Sequence, residues 1–146
     1  MSIVRASVKI EGSKAASSSP ALIDTGARMT VLDLDLAGKI GVEYTGRKIA
    51  FILISGQAFE ASEAMVRELV VDGETLKYEA VAIATIPQRV KGTLSKSDLD
   101  PNMIIGLLTL ERANLMPDIA TGKLRKVESF ILQAQHAETE DCSDSL

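Results

Sequence analysis

Ala21-Leu22-Ile23-Asp24-Thr25-Gly26-Ala27-Arg28-Met29-Thr30-Val31-Leu32-Asp33 is the stretch on which the reading of this chain turns. An apolar run ends in an acid and a glycine, and a second segment of β-favouring residues follows. Such a run places a carboxylate on a tight turn at the end of a buried strand. Asp and Gly also end ordinary strands, so the tripeptide alone does not separate a reactive acid from a structural one. One carboxylate does little to an amide, whereas two that share a proton can activate water. The chain contains one such turn, so a catalytic use of Asp24 requires a second copy of the chain.

Around this stretch the pattern is mainly β. Residues 3–10 alternate, with Ala6, Val8 and Ile10 on one face. Residues 11–20, rich in Gly, Ser and Lys, read as a loop ending in Pro20. Residues 30–36 fit either a strand or a brief helical turn. Gly38, Gly41 and Gly46 punctuate a loop region, and residues 48–54 are strongly β-prone. Residues 59–71 and 75–86 form a hairpin with Asp72-Gly73 at its turn. Residues 91–101 read as a polar loop, and Asp100-Pro101 as the opening of a short helix. Ile104 and Ile105 then form a buried strand, residues 107–115 a helix, and residues 123–132 a last strand. Glu60, Glu63, Glu68 and Glu79 fall on a solvated sheet face. The expectation is one domain over residues 1–132 and a polar, flexible tail over residues 133–146.

Composition narrows the function classes. The chain has 146 residues, 46% of them hydrophobic, enough for a packed core rather than a disordered chain. A net charge of −4 lacks the basic balance of a nucleic-acid binder. No apolar run approaches the ~20 residues that cross a bilayer, and no secretory leader pattern opens the chain. The single cysteine, Cys142, sits in the polar tail, which fits a reducing, cytoplasmic setting. The single histidine, His136, also lies in the tail, so a Ser or Cys triad lacks a base and a zinc site lacks ligands. Asp98 and Asp100 form a small acidic pair that reads as a solvated loop or cap rather than a cation site. No metal and no cofactor are expected.

The segment 21–33 resembles the active-site segment of the retroviral-type (retropepsin-like) aspartic proteases. Its pattern there is two apolar residues, Asp-Thr-Gly-Ala, two variable residues, Thr-Val-Leu and an acid. Met103-Ile104-Ile105-Gly106-Leu107-Leu108 is similar to the family's apolar-apolar-Gly segment before the C-terminal helix. The resemblance spans residues 3–132. It implies a single-lobe, mainly β acid protease barrel with one short C-terminal helix, active as a homodimer on a peptide or protein substrate. Asp24, Thr25 and Gly26 would form the catalytic turn, with the Thr25 hydroxyl bonding across the two-fold axis. Residues 49–61 would be a flap hairpin with its tip at Leu53, Ile54, Ser55 and Gly56. Those four, with Ala27, Arg28, Ile52 and Ile105, would line the substrate groove. The terminal strands, residues 3–10 and 123–132, would pair the subunits.

Two Asp24 carboxylates ~3 Å apart in an effective dielectric of ~20 would repel by roughly 5 kcal/mol if both ionised. That is on the order of four pKa units, so one proton is retained, a general property of aspartic proteases. Pepsin-like relatives carry Ser or Thr where this chain has Ala27, and the missing hydroxyl implies an optimum at about pH 5–6. Retroviral enzymes pair an acid after Asp-Thr-Gly-Ala with an Arg after apolar-apolar-Gly. Arg28 and Leu107 stand here instead, so both members of that ion pair are absent together. The alternative function is a non-catalytic peptide-binding or dimerisation module of the same fold.

Overall fold

In the computed structural model, which describes residues 3–52 and 58–127, β1 (Val4–Glu11) alternates as its sequence predicts. Val4, Ala6, Val8 and Ile10 face inward. β1 pairs antiparallel along its full length with β2 (Ala16–Ile23). β2 corrects the expected loop over residues 11–20, because Ser17, Ser18 and Ser19 pair in register with β1, which alone flanks them. Pro20 is tolerated on that free edge, where no ladder partner needs its missing N–H.

The rest of the wall comprises β3 (Val31–Asp33), β6 (Glu74–Ala84), β5 (Ala58–Val71) and β7 (Met103–Ile105). The strand order is β1-β2-β7-β3-β6-β5, and β5 returns to β1, with Val8 opposite Val71 and Glu11 opposite Glu68. This closes a six-stranded mixed barrel. β4 (Glu43–Ile52) pairs with the first half of β5 and extends beyond the barrel as a hairpin. The barrel interior holds Ile10, Leu32, Ile40, Leu69, Val81, Met103, Ile105 and Leu110. A second apolar cluster lies apart, formed by Val31, Ala61, Ala82, Ala84 and Ile86, with Met29, Ile49, Phe51, Val90 and Ile104 against it.

The turn between β5 and β6 behaves as its sequence predicts. Asp72 and Gly73 have φ of 46° and 85°, the paired positive values of a type I′ turn. Residues 30–36 resolve into both alternatives, a strand to Asp33 and then α1 (Leu34–Ile40), which Asp33 caps by accepting from the Asp35 amide. Gly38 therefore lies in a helix, and Gly46 lies within β4 at an irregularity between Tyr44 and Lys48. α2 (Gln88–Lys96) replaces most of the expected loop at residues 91–101.

No helix opens at Asp100. Its carboxylate accepts from Asn102 N and from the Ser19 hydroxyl instead. α3 (Leu107–Ala113) is the expected late helix, followed by a small hairpin of β8 (Leu115–Asp118) and β9 (Lys123–Lys126). Three helices, not one, occur among the described residues. None is long and apolar enough to cross a membrane.

The solvated face expected of Glu60, Glu63, Glu68 and Glu79 is present only in part. Glu60 is exposed, but Glu79 is only 5% exposed. β5 and β6 stay in register through this region, Val66 opposite Glu79 and Leu69 opposite Leu76. The inward positions nevertheless step by three on both strands, from Val66 to Leu69 and from Leu76 to Glu79. Tyr78, at φ 55°, supplies the rotation on β6 that carries Glu79 inward.

Candidate active site

Asp24 leaves the end of β2, and Val31 re-enters the sheet as β3. β7 lies between these two strands, parallel to β2 and antiparallel to β3, with Ile104 opposite both Leu22 and Val31. The loop from Asp24 to Thr30 therefore arches over the end of β7 and is tied to it. Asp24 N donates to Ile105 O at 2.9 Å, Leu107 N to Ala27 O at 2.8 Å, and Leu108 N to Arg28 O at 2.9 Å. The free amides at the start of α3 are thus satisfied by loop carbonyls. The apolar-apolar-Gly segment and the Asp-Thr-Gly segment form one unit, although 82 residues separate Asp24 from Gly106.

Within the loop, Gly26 N donates to Asp24 Oδ1 at 2.8 Å, and Ala27 N donates to Asp24 O at 3.1 Å. Gly26 permits the first contact, since a Cβ there would stand 3.1 Å from Asp24 Oδ1. Asp24, Thr25 and Gly26 are all exposed. The Gly26 amide thus fixes an exposed carboxylate just beyond the end of β2.

The other groove residues separate into those beside the turn and those elsewhere. Ala27 is half-buried next to Asp24. Arg28 is exposed and makes no ion pair with another described residue. Ile52 ends β4 opposite Ala58. Leu53, Ile54, Ser55 and Gly56, the expected flap tip, lie outside the described residues, as do the end of the expected last strand from residue 128 and the expected tail over residues 133–146. Ile105 is fully buried in the barrel interior and supports the turn from behind. Its neighbour Ile104 faces the second apolar cluster. That cluster joins Met29 of the loop to Ile49 and Phe51 toward the end of β4, so one apolar wall runs from the Asp24 turn to the far half of the β4–β5 hairpin.

Sequence reasoning missed this wall and the polar support behind the loop. Alternation along β3 and β6 was the available signal for Val31, Ala82 and Ala84. Thr30 Oγ1 accepts from Gly106 N at 3.1 Å and lies 2.7 Å from Thr109 Oγ1. Thr109 Oγ1 donates to Glu79 Oε2 at 2.7 Å, and Arg112 pairs with Glu79 Oε1. Asp33, the acid that closes the motif, is 2% exposed. Burial alone would raise its pKa, but amide donors from Ile86 and Asp35 and the Lys91 ammonium at 3.0 Å hold it below the usual carboxylate value.

A closed mixed barrel with an Asp-Thr-Gly loop locked over an apolar-apolar-Gly strand defines a single-lobe acid protease fold of retropepsin-like type. A family model described as aspartyl protease, of the retropepsin-like clan, matches residues 6–111. The chain belongs to that aspartyl protease family. A comparison with curated proteins found no match.

Proposed function

We propose that this protein is an aspartic endopeptidase that works as a homodimer, each subunit contributing one Asp24 to a shared pair. The observation that carries this reading is the exposed Asp24 carboxylate, held by the Gly26 amide on a loop tied to β7 and α3. In the proposed cycle the ionised member of the pair takes a proton from water as the water attacks the scissile carbonyl. The protonated member donates to the carbonyl oxygen, and the roles then exchange as the amine leaves. Both protons come from water or the acid pair, so no cofactor enters the balance.

The substrate is an extended peptide. The β4–β5 hairpin can offer main-chain groups to such a strand, and the partly exposed Phe51 and Ile104 of the second apolar cluster suit an apolar side chain. Arg28, beside the turn and without an ion-pair partner among the described residues, favours an acidic side chain nearby. For the pairing of subunits, β1 offers little free edge. It is bonded to β2 throughout and to β5 over Val8–Glu11, and Arg5 N donates to Gly122 O. Exposed apolar residues are a better surface for a second copy, above all Leu108, 42% exposed and bonded through its amide to the Asp24 loop. The proposed setting is the cytoplasm.

The test is cleavage of a mixed peptide library by purified protein, with and without a statine-type inhibitor. Cleavage that is blocked by the inhibitor and lost in Asp24→Asn, with peptide binding retained, supports the enzyme. Peptide binding without cleavage by the native protein indicates a non-catalytic module instead.

A further inference from the structure

Behind the Asp24 loop runs a hydrogen-bonded chain whose every proton is directed. The Gly106 amide can only donate, and it donates to Thr30 Oγ1. An ionised Glu79 carboxylate can only accept, and it accepts from Thr109 Oγ1. Thr109 has one hydroxyl proton, already given to Glu79, so between the two threonines Thr30 must be the donor. The hydroxyls are buried, Thr30 at 0% and Thr109 at 1% exposure, and no water competes for these contacts at the surface. Arg112 balances the carboxylate from the half-exposed side, donating also to Lys77 O.

The chain is held at its far end by an unusual backbone. Tyr78 is left-handed, a conformation costly for a residue with a Cβ. Glu79 owes its inward orientation to this turn of the strand, and a buried acid is itself unfavourable unless paired. The fold thus maintains one strained backbone residue, and with Glu79 paired to Arg112 it delivers a fixed acceptor to Thr109. Thr30 is the last residue of the Asp24 loop, and its carbonyl also accepts from Ala82 N at 2.9 Å. A hydroxyl that can neither rotate nor exchange donors fixes that end of the loop.

We propose that Glu79 is a positioning residue for Asp24, acting through Thr109 and Thr30. It does not touch substrate. It sets the direction of the hydroxyl chain that pins the loop, and hence the place of the carboxylate. The inference rests on the peptidase reading for its kinetic consequence, but its structural half stands without it.

The experiment compares native protein with Thr109→Val, Thr109→Ser and Glu79→Gln in two readouts. In peptide cleavage, Thr109→Val should lower kcat about ten- to hundred-fold with KM within about twofold, as displacement of a catalytic group does. Thr109→Ser should recover kcat to within about threefold of native. In amide hydrogen exchange, Thr109→Val should speed exchange at Gly26, Ala27 and Gly106 by about tenfold or more, with Val8 and Val71 in the barrel wall unchanged. If Thr109→Val does not fold, Glu79→Gln, which keeps the volume, decides by the same two readouts. Native kcat in a folded Thr109→Val protein, or no rescue by serine, overturns the proposal. Should the native protein cleave nothing, the peptidase reading fails, and unchanged exchange at Gly26, Ala27 and Gly106 separately overturns the positioning role.

Discussion

Gly106 lies against the backbone of Met29 so closely that a Cβ on it would stand 2.4 Å from the Met29 carbonyl oxygen and 2.8 Å from that of Ala27. The strand end and the Asp24 loop thus meet backbone to backbone at Gly106, beside the Gly106 N–Thr30 Oγ1 hydrogen bond. Gly106→Ala must therefore push the loop away from β7, at a cost of about 1–3 kcal/mol. Urea unfolding measures the cost, and an unchanged midpoint would show that the loop has slack.

Asp33 ties β3 and α1 to α2 through Lys91. Asp33→Asn leaves that ammonium, mostly buried, without a counter-charge and should cost about 2–4 kcal/mol. The sign with pH follows from the lowered pKa. The unfolded chain, titrating near 3.8, binds a proton before the folded chain does. The contribution of Asp33 is therefore complete above that value and is lost as pH falls through the lower folded value. The stability gap between native and Asp33→Asn should be constant at neutral pH and narrow below about pH 4. A gap that widens with acid would contradict the assignment.

How much of this was legible in the sequence differs by element, for physical reasons. The Asp24 turn, the Asp72-Gly73 hairpin and the β7 strand follow from local chemistry, and each is present. α2 was not legible, because only Leu94 of its nine residues is buried and its place is set by Val90 packing and the Lys91–Asp33 pair. The start of β2 was hidden by its serines, which are stable there only because β1 pairs with them. Ile104 and Ile105 could not be told apart, since β7 is flanked on both edges and both of its faces are apolar. The inward position of Glu79 is not legible because an acid on a strand reads as solvated, and nothing in the sequence marks Tyr78 as left-handed.

Tyr78 gives a direct test of that strain. Asn tolerates the left-handed region better than tyrosine, while a β-branched residue tolerates it worse. Tyr78→Asn should be neutral or stabilising by up to about 1 kcal/mol, and Tyr78→Val less stable than Tyr78→Asn by about 1–2 kcal/mol. Thermal unfolding of the pair measures this. Equal stability of the two variants would remove the argument from strain.

On the peptidase reading, Ala27 is expected to set the acid side of the pH profile. Serine there would add a donor beside the Asp24 carboxylate, and a donor favours the ionised form and lowers its pKa. The kcat/KM profile of Ala27→Ser should shift about one pH unit toward acid from a native optimum at about pH 5–6. A shift toward alkali would be inconsistent with this role.

The central claim is that one active site needs Asp24 from two chains, and subunit mixing tests it most directly. Native protein is exchanged with a ninefold excess of Asp24→Asn protein, and peptide cleavage is measured per native chain. If random pairing builds the site, only about one native chain in ten finds a native partner, and activity falls to about a tenth. If a single chain were competent, activity per native chain would stay unchanged, and the shared acid pair would be ruled out.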